Sequence, residues 1–111
     1  MATLLYESNL NAALEDLISQ AESHILFLCP YFQLHDRFKD CLKQHIKHDG
    51  VEIIVVFGKN EEDPSKSLNK ADFEFLKTFP FVTIAYEKRL HAKYYANEKA
   101  GLITSLNLHA Y

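Results

Sequence analysis

HILFLCPYFQLHDRFKDCLKQHIKHDGVEIIVVF, residues His24–Phe57, is the stretch that decides the fold. Its opening, His24–Phe32, is a dense apolar run interrupted by Pro30. It is too short for a stable helix and too continuous for a half-exposed strand, so it predicts a buried strand in a sheet covered on both faces. From Asp36 to Asp49 the spacing of Phe38, Cys41, Leu42 and Ile46 is helical, and Gly50 supplies a C-terminal stop. Val51–Phe57 is β-branched and apolar, which predicts a central strand. Strand, helix, strand in that order calls for a right-handed crossover and parallel pairing.

Working outward, Leu10, Leu14, Leu17, Ile18 and Ala21 recur at helical spacing between Ser8 and Glu22, with Ser8 or Asn9 as N-cap. Gly58–Ser67 is polar with Gly and Pro and predicts a loop. Leu68–Phe79 predicts a third helix that Pro80 blocks. Val82–Tyr86, Leu90–Ala96 and Leu102–Leu106 predict three strands, the last two joined by a hairpin around Asn97-Glu98-Lys99. The expected order is αβαβαβββ: an α/β sandwich with a mixed, mostly parallel sheet and helices on both faces, one domain over 1–111.

The 111 residues, 48% apolar and 24% charged, suit a single packed core and exclude a disordered chain. With 12 basic against 15 acidic residues the net charge is −3, so any polyanion site must be local. Cys29 and Cys41 lack a CxxC spacing and read as buried thiols in a reducing compartment. No stretch approaches the ~18 apolar residues of a membrane span, and no signal peptide is legible, so the expected location is the cytoplasm.

Chemistry concentrates in LHAKYYANEKAGLITSLNL, residues 90–108. On a strand, side chains two apart share a face about 6.6 Å from each other, so His91 and Lys93 point together, as do Ser105 and Asn107 on the next strand. Convergence of all four requires a hairpin register whose paired numbers sum to an even value, such as His91 opposite Asn107, hence a loop with an odd number of residues. An imidazole, an ammonium, a hydroxyl and a carboxamide would then form a phosphate-binding set containing a nucleophile.

At these residues the sequence resembles the phospholipase D superfamily, whose signature is HxK, four residues, Asp, six residues, then GSxN. His91-Ala92-Lys93 supplies HxK and Ser105-Leu106-Asn107 supplies SxN; Glu98 stands where the family has Asp, and Thr104 replaces Gly after five residues. Cys29-Pro30-Tyr31-Phe32 is similar to the family's Ser-Pro-Tyr-like turn. The resemblance implies a metal-independent phosphodiesterase with a phosphohistidine intermediate and no cofactor. His91 would be nucleophile or acid, Lys93 and Asn107 would hold phosphate, Ser105 would assist, and the acidic position, Glu98, would be mainly structural. One HxK motif is half an active site in that family, so a homodimer completing the site is implied. Family domains usually continue past the point where this chain stops, at Tyr111, which implies a piece of a longer domain.

Lys88, Arg89, Tyr31 and Thr104 are the candidate substrate-binding residues around the motif; the local positive excess favours a polyanion, nucleic acid ahead of phospholipid because no interfacial helix is legible. A second class of function uses the same pocket without catalysis, as a module that binds phosphate backbones or dimerises within a larger protein. His91 alone would more often be a surface or satisfied core histidine. Cys41, His45 and His48 could be imagined as metal ligands on one helix, but no second ligand cluster accompanies them, and a mixed core and solvent face accounts for them better. Lys39, Lys43 and Lys47 form either a phosphate-tracking stripe or a solvated helix face.

Overall fold

Strand alternation decides which side of the sheet is filled. The computed structural model of the chain describes residues 2–4, 7–45, 50–58, 68–87, 89–90 and 93–103, with side chains from residue 11 onward. Its elements are β1 (Ala2–Leu4), α1 (Glu7–Gln20), β2 (His24–Leu28), α2 (Asp36–Lys43), β3 (Glu52–Phe57), α3 (Lys70–Leu76), β4 (Val82–Tyr86), β5 (Tyr94–Asn97) and β6 (Gly101–Ile103). They form one sheet in the order β1-β6-β5-β2-β3-β4. β2, β3 and β4 run parallel, as do β1 and β6. β5 is antiparallel to both β2 and β6. This is the mixed α/β sheet closed by a hairpin that the βαβ pattern predicts; β1 was not expected, because three residues carry no legible period.

Ile25 and Phe27 of β2, Ile53, Val55 and Phe57 of β3 and Tyr95 of β5 point to one side and are buried. The register sets Ile25 beside Ile53, and Phe27 between Val55 and Tyr95. Leu14, Leu17 and Ile18 of α1, Ala21 just after it, Phe38 and Leu42 of α2 and Leu76 of α3 join them in one continuous core. Each such side chain contributes about 1.5–3 kcal/mol on burial, alanine less. Polar links tie the helices to each other: the His45 Nε2 donates to the Ile18 carbonyl at 2.6 Å, and the Lys39 ammonium pairs with Asp72 at 3.0 Å.

The opposite side of the sheet carries Leu26, Leu28, Ile54, Val56, Thr83 and Ala85, none of which belongs to that core. Among the described residues all three helices lie on one side. This corrects the expectation of helices on both faces. An apolar run of both parities states that both sheet faces are apolar, but it does not supply the second cover.

Several elements end earlier than their apolar period. α2 stops at Lys43, short of Asp49, because the Gln44 and His45 amides turn back to Cys41 and Leu42 carbonyls and draw the His45 ring inward. Residues 46–49 lie outside the described residues. α3 is confined to Lys70–Leu76: the Asn69 side chain caps it by accepting from the Asp72 amide at 2.8 Å. At its far end Thr78 bonds the Phe75 carbonyl through both amide and hydroxyl. Leu68, expected in that helix, instead pairs with Phe32 in an isolated parallel bridge. β2 ends at Leu28 rather than Phe32, where Pro30 turns the chain. β5 begins at Tyr94 rather than Leu90, which closes a turn onto the Glu87 carbonyl at 3.0 Å.

Candidate phosphate site at the sheet edge

The carboxyl ends of β2, β3 and β4 share one edge of the sheet, the place where open α/β sheets gather ligands. Because β5 is antiparallel to β2, with Tyr94 opposite Leu28, its first residues reach the same edge. Lys93, half-buried, therefore stands beside the Cys29-Pro30-Tyr31 turn. Tyr31 is exposed there, and Arg89 is exposed on the turn after β4. Among the described residues, Tyr31, Arg89 and Lys93 are thus brought to a common edge. Lys88, His91, Thr104, Ser105 and Asn107 lie outside the described residues.

Two links shape this edge. The buried Cys29 thiol donates to the Tyr31 carbonyl at 3.0 Å and accepts from the Tyr95 hydroxyl at 3.2 Å, tying the turn to β5. Cys29 is an anchor in a core, as its apolar surroundings suggest, whereas Cys41, also expected to be buried, is only partly so because it lies at the margin of the α2 core stripe; neither forms a disulfide. Farther along, the Glu87 amide bonds the Phe57 carbonyl at 2.8 Å, and the Glu87 carboxylate accepts from the Arg89 amide at 3.0 Å. Arg89 thus owes its backbone position to an acidic neighbour that lies next to β3. Sequence spacing alone gives no sign of either link.

The hairpin register differs from the one that would make the four motif groups converge. Tyr94 pairs with Ile103, Tyr95 with Leu102 and Ala96 with Gly101, numbers that sum to 197. The loop is the two residues Glu98 and Lys99, closed by the Asn97 amide on the Ala100 carbonyl at 2.9 Å. An odd loop with Asn97 inside it is thereby corrected. The physical reason is Asn97 itself: buried, its Nδ2 donates to the Leu17 carbonyl, and its Oδ1 accepts from the Lys99 and Ala100 amides. The described register spans Tyr94–Ala96 and Gly101–Ile103 only; His91, Ser105 and Asn107 lie outside the described residues.

Glu98 lies at the other end of the hairpin, about 17 Å of strand away from Lys93. Its carboxylate accepts from the backbone amides of Glu22, Ser23 and His24 at 3.0–3.2 Å and from the Ser23 hydroxyl at 3.3 Å. Desolvation raises its pKa, but these backbone donors outweigh it and hold the group at about 2, against an ordinary 4.5. Lys99 next to it pairs with Glu22, which raises the Lys99 pKa, and donates to the Gln20 carbonyl at 3.2 Å. Glu98 therefore clips the hairpin to the α1–β2 turn and does not touch the sheet edge where Lys93 stands.

A depressed carboxylate pKa stabilises the fold above its unfolded value and loses that contribution as pH falls through the folded one. Glu98→Gln is expected to cost about 1–2 kcal/mol at pH 7, a range that allows for solvent screening of an exposed group. The gap between the two proteins should close between about pH 4.5 and pH 2, as the wild-type carboxylate protonates. Urea titrations at pH 7 and pH 2.5 measure it; an unchanged gap would refute the clip.

The remaining candidates separate cleanly. His45 is buried and committed to Ile18, and no group of three metal-ligating residues occurs among the described residues. Lys39 spends its charge on buried Asp72 and lies over the Phe75 ring, while Lys43 pairs with Asp40 at 3.6 Å. The lysine stripe is therefore interrupted at its first member; Lys47 lies outside the described residues. No described helix is long and apolar enough to cross a membrane. No family model matches the chain, and neither a curated protein nor a solved structure matches it.

Proposed function

We propose that the chain is a metal-independent phosphodiesterase of the phospholipase D type, acting on nucleic acid in preference to phospholipid. The observation that carries it is that Lys93, just before β5, and Tyr31 and Arg89, in the segments after β2 and β4, all lie on the side of the sheet where β2–β4 end. In the proposed reaction the neutral His91 imidazole attacks phosphorus while the Lys93 ammonium neutralises a non-bridging oxygen and the Asn107 amide donates a hydrogen bond to another. The P–O bond to the leaving group breaks, and that oxygen takes a proton from the second protomer's equivalent histidine. Water, deprotonated by the same histidine, then cleaves the N–P bond and restores His91. Ser105 assists by donating to phosphate. Lys88, Arg89, Tyr31 and Thr104 bind the rest of the substrate. A homodimer supplies the second histidine, and no cofactor takes part. The proposed setting is the cytoplasm.

The hairpin register supports a second reading. The described pairing, with numbers that sum to 197, is not the even register that convergence of HxK and SxN calls for, which suits a non-catalytic module that binds phosphate backbones or dimerises within a larger protein. Cleavage of single-stranded DNA, duplex DNA and a chromogenic phosphodiester, each with chelator present, separates the two. Chelator-resistant cleavage that falls to background in His91→Ala, with binding retained, is the expected result. Equal binding by both proteins and turnover by neither would establish the module and end the enzyme proposal.

A further inference from the structure

Tyr31 and Tyr86, each 36% exposed, flank the end of β3. The other exposed aromatic residues among those described are Phe73, which lies under the Lys77 ammonium at 5.0 Å, and Phe81, which precedes β4. On one flank the Pro30 carbonyl accepts from the Gly58 amide at 3.1 Å and the Tyr31 carbonyl from the Cys29 thiol at 3.0 Å, which fixes the backbone that bears the Tyr31 ring. On the other, Tyr86 is the last residue of β4, pairs in register with Phe57 and meets its ring edge-on at 5.4 Å. The two tyrosine-bearing segments are thus two interstrand spacings, about 10 Å, apart. Exposed Arg89 follows Tyr86 by three residues, and Lys93 stands just before β5.

We propose that Tyr31 and Tyr86 stack nucleobases, so that this edge takes single-stranded nucleic acid in preference to duplex. The inference rests on the reading of the edge as the substrate site and names the form of nucleic acid held there. Non-specific affinity for nucleic acid ordinarily comes from neutralised phosphates. This chain has a net charge of −3, and its described edge offers Arg89 and Lys93 against Glu87, so the field supplies little. Exposed aromatic rings on a fixed backbone supply another source: stacking is sequence-tolerant, because every base has a π-face. A tyrosine has few torsions to order, and its contact with Phe57 orders Tyr86 further. A single strand presents free base faces. In a duplex the next base pair covers each face, so the rings gain nothing unless unstacking is paid for.

Fluorescence anisotropy tests it with three labelled probes: an oligothymidylate of about 12 nucleotides, an abasic strand of the same length and a duplex of the same length. The full chain carries His91→Ala, so that the probes stay whole. The oligothymidylate is expected to bind at least about tenfold tighter than either other probe. Tyr31→Ala should weaken it about 5- to 150-fold, the equivalent of one stacked base, and leave the abasic strand unaffected; Tyr31→Trp should restore it. Tyr86→Ala should act likewise. Because losing the contact with Phe57 can disturb β4, Tyr86→Leu, which keeps apolar volume without a π-face, is measured beside it with circular dichroism. Equal affinity for the oligothymidylate and either other probe overturns the proposal, as do tyrosine variants that weaken both single strands alike. Either result, with chelator-resistant cleavage by the wild-type chain, leaves the phosphodiesterase reading standing. Base-dependent binding without any cleavage upholds the stacking and ends the enzyme. No binding to any probe overturns the stacking, and cleavage of the chromogenic phosphodiester then decides separately whether the chemistry stands.

Discussion

Gly58→Ala is expected to lower Tm by about 10–20 °C, the equivalent of roughly 2–3 kcal/mol for a domain of this size. A Cβ built on Gly58 would lie 2.0 Å from the Glu87 carbonyl oxygen and 2.9 Å from its carbon. Both are backbone atoms, so no rotamer change relieves the contact. Gly58 does not occupy the left-handed region, which makes the cost steric rather than conformational. The surroundings cannot yield cheaply: the Gly58 amide bonds the Pro30 carbonyl at 3.1 Å, and the Glu87 amide bonds the Phe57 carbonyl. Relief must separate the ends of β3 and β4 and shift the Glu87–Leu90 turn, from which the chain proceeds to residue 91. Reduced entropy of the unfolded chain returns only about 0.4–1 kcal/mol. Thermal unfolding by circular dichroism decides the matter: a Tm within about 2 °C of wild type would show that the Glu87 peptide moves freely. On the proposed mechanism the variant also loses cleavage at temperatures where it remains folded.

That glycine shows what kind of information the sequence carries. Val51–Phe57 and Val82–Tyr86 are legible as strands because β-branched runs have few other uses, and their positions in the structure, Glu52–Phe57 and Val82–Tyr86, follow closely. α1 is legible because its apolar residues keep a helical period from Leu10 to Ala21, of which Leu14, Leu17, Ile18 and Ala21 are buried. Gly58 reads only as the start of a polar loop, since its need arises from a carbonyl 29 residues away. The same holds for the ends of α2 and α3, where side chains and amides from the next turn halt a period that the apolar residues would continue.

The hairpin itself is legible in the sequence, but its register is not, for a related reason. Asn97 has the composition of a turn residue, yet the Leu17 carbonyl holds its side chain inside the fold, so it pairs as a strand residue and the loop shrinks to two. One residue of misassignment reverses the phase between the strands. At the candidate site, Lys93, Arg89 and Tyr31 are legible from charge and from the Pro30 turn. Cys29 is legible as part of the Cys29-Pro30-Tyr31-Phe32 turn but not as its link to Tyr95, and Glu87 carries no motif. Glu98 is legible as the acidic position, and the backbone amides it binds show why an acidic residue suits the hairpin tip.

The second large effect is expected at Asp72, which its place in an amphipathic helix makes look like one more solvent-facing acid. It is 2% exposed. Its carboxylate accepts from the Leu34 amide at 2.8 Å, from the Asn69 Nδ2 at 3.2 Å and from the Lys39 ammonium at 3.0 Å. One side chain thus joins the start of α3, the segment before α2 and α2 itself. The pattern Asn69-x-x-Asp72 resembles a capping box, the one sequence signal that could have singled it out. Asp72→Ala leaves a buried amide and a largely buried ammonium without their acceptor, at a cost of about 3–4 kcal/mol. Asp72→Asn keeps an oxygen for Leu34 but turns an amide group toward Lys39 or Asn69, and should cost less. Lys39→Met removes the cation while the Leu34 and Asn69 donors remain on the carboxylate, and its methylenes still cover Phe75, so its cost should be smallest, about 1–2 kcal/mol. Urea unfolding of the three variants measures this order. A loss below about 1 kcal/mol in Asp72→Ala would mean that water reaches the site and replaces the carboxylate, and the three-way junction would then be held by Phe38, Leu76 and their apolar neighbours alone.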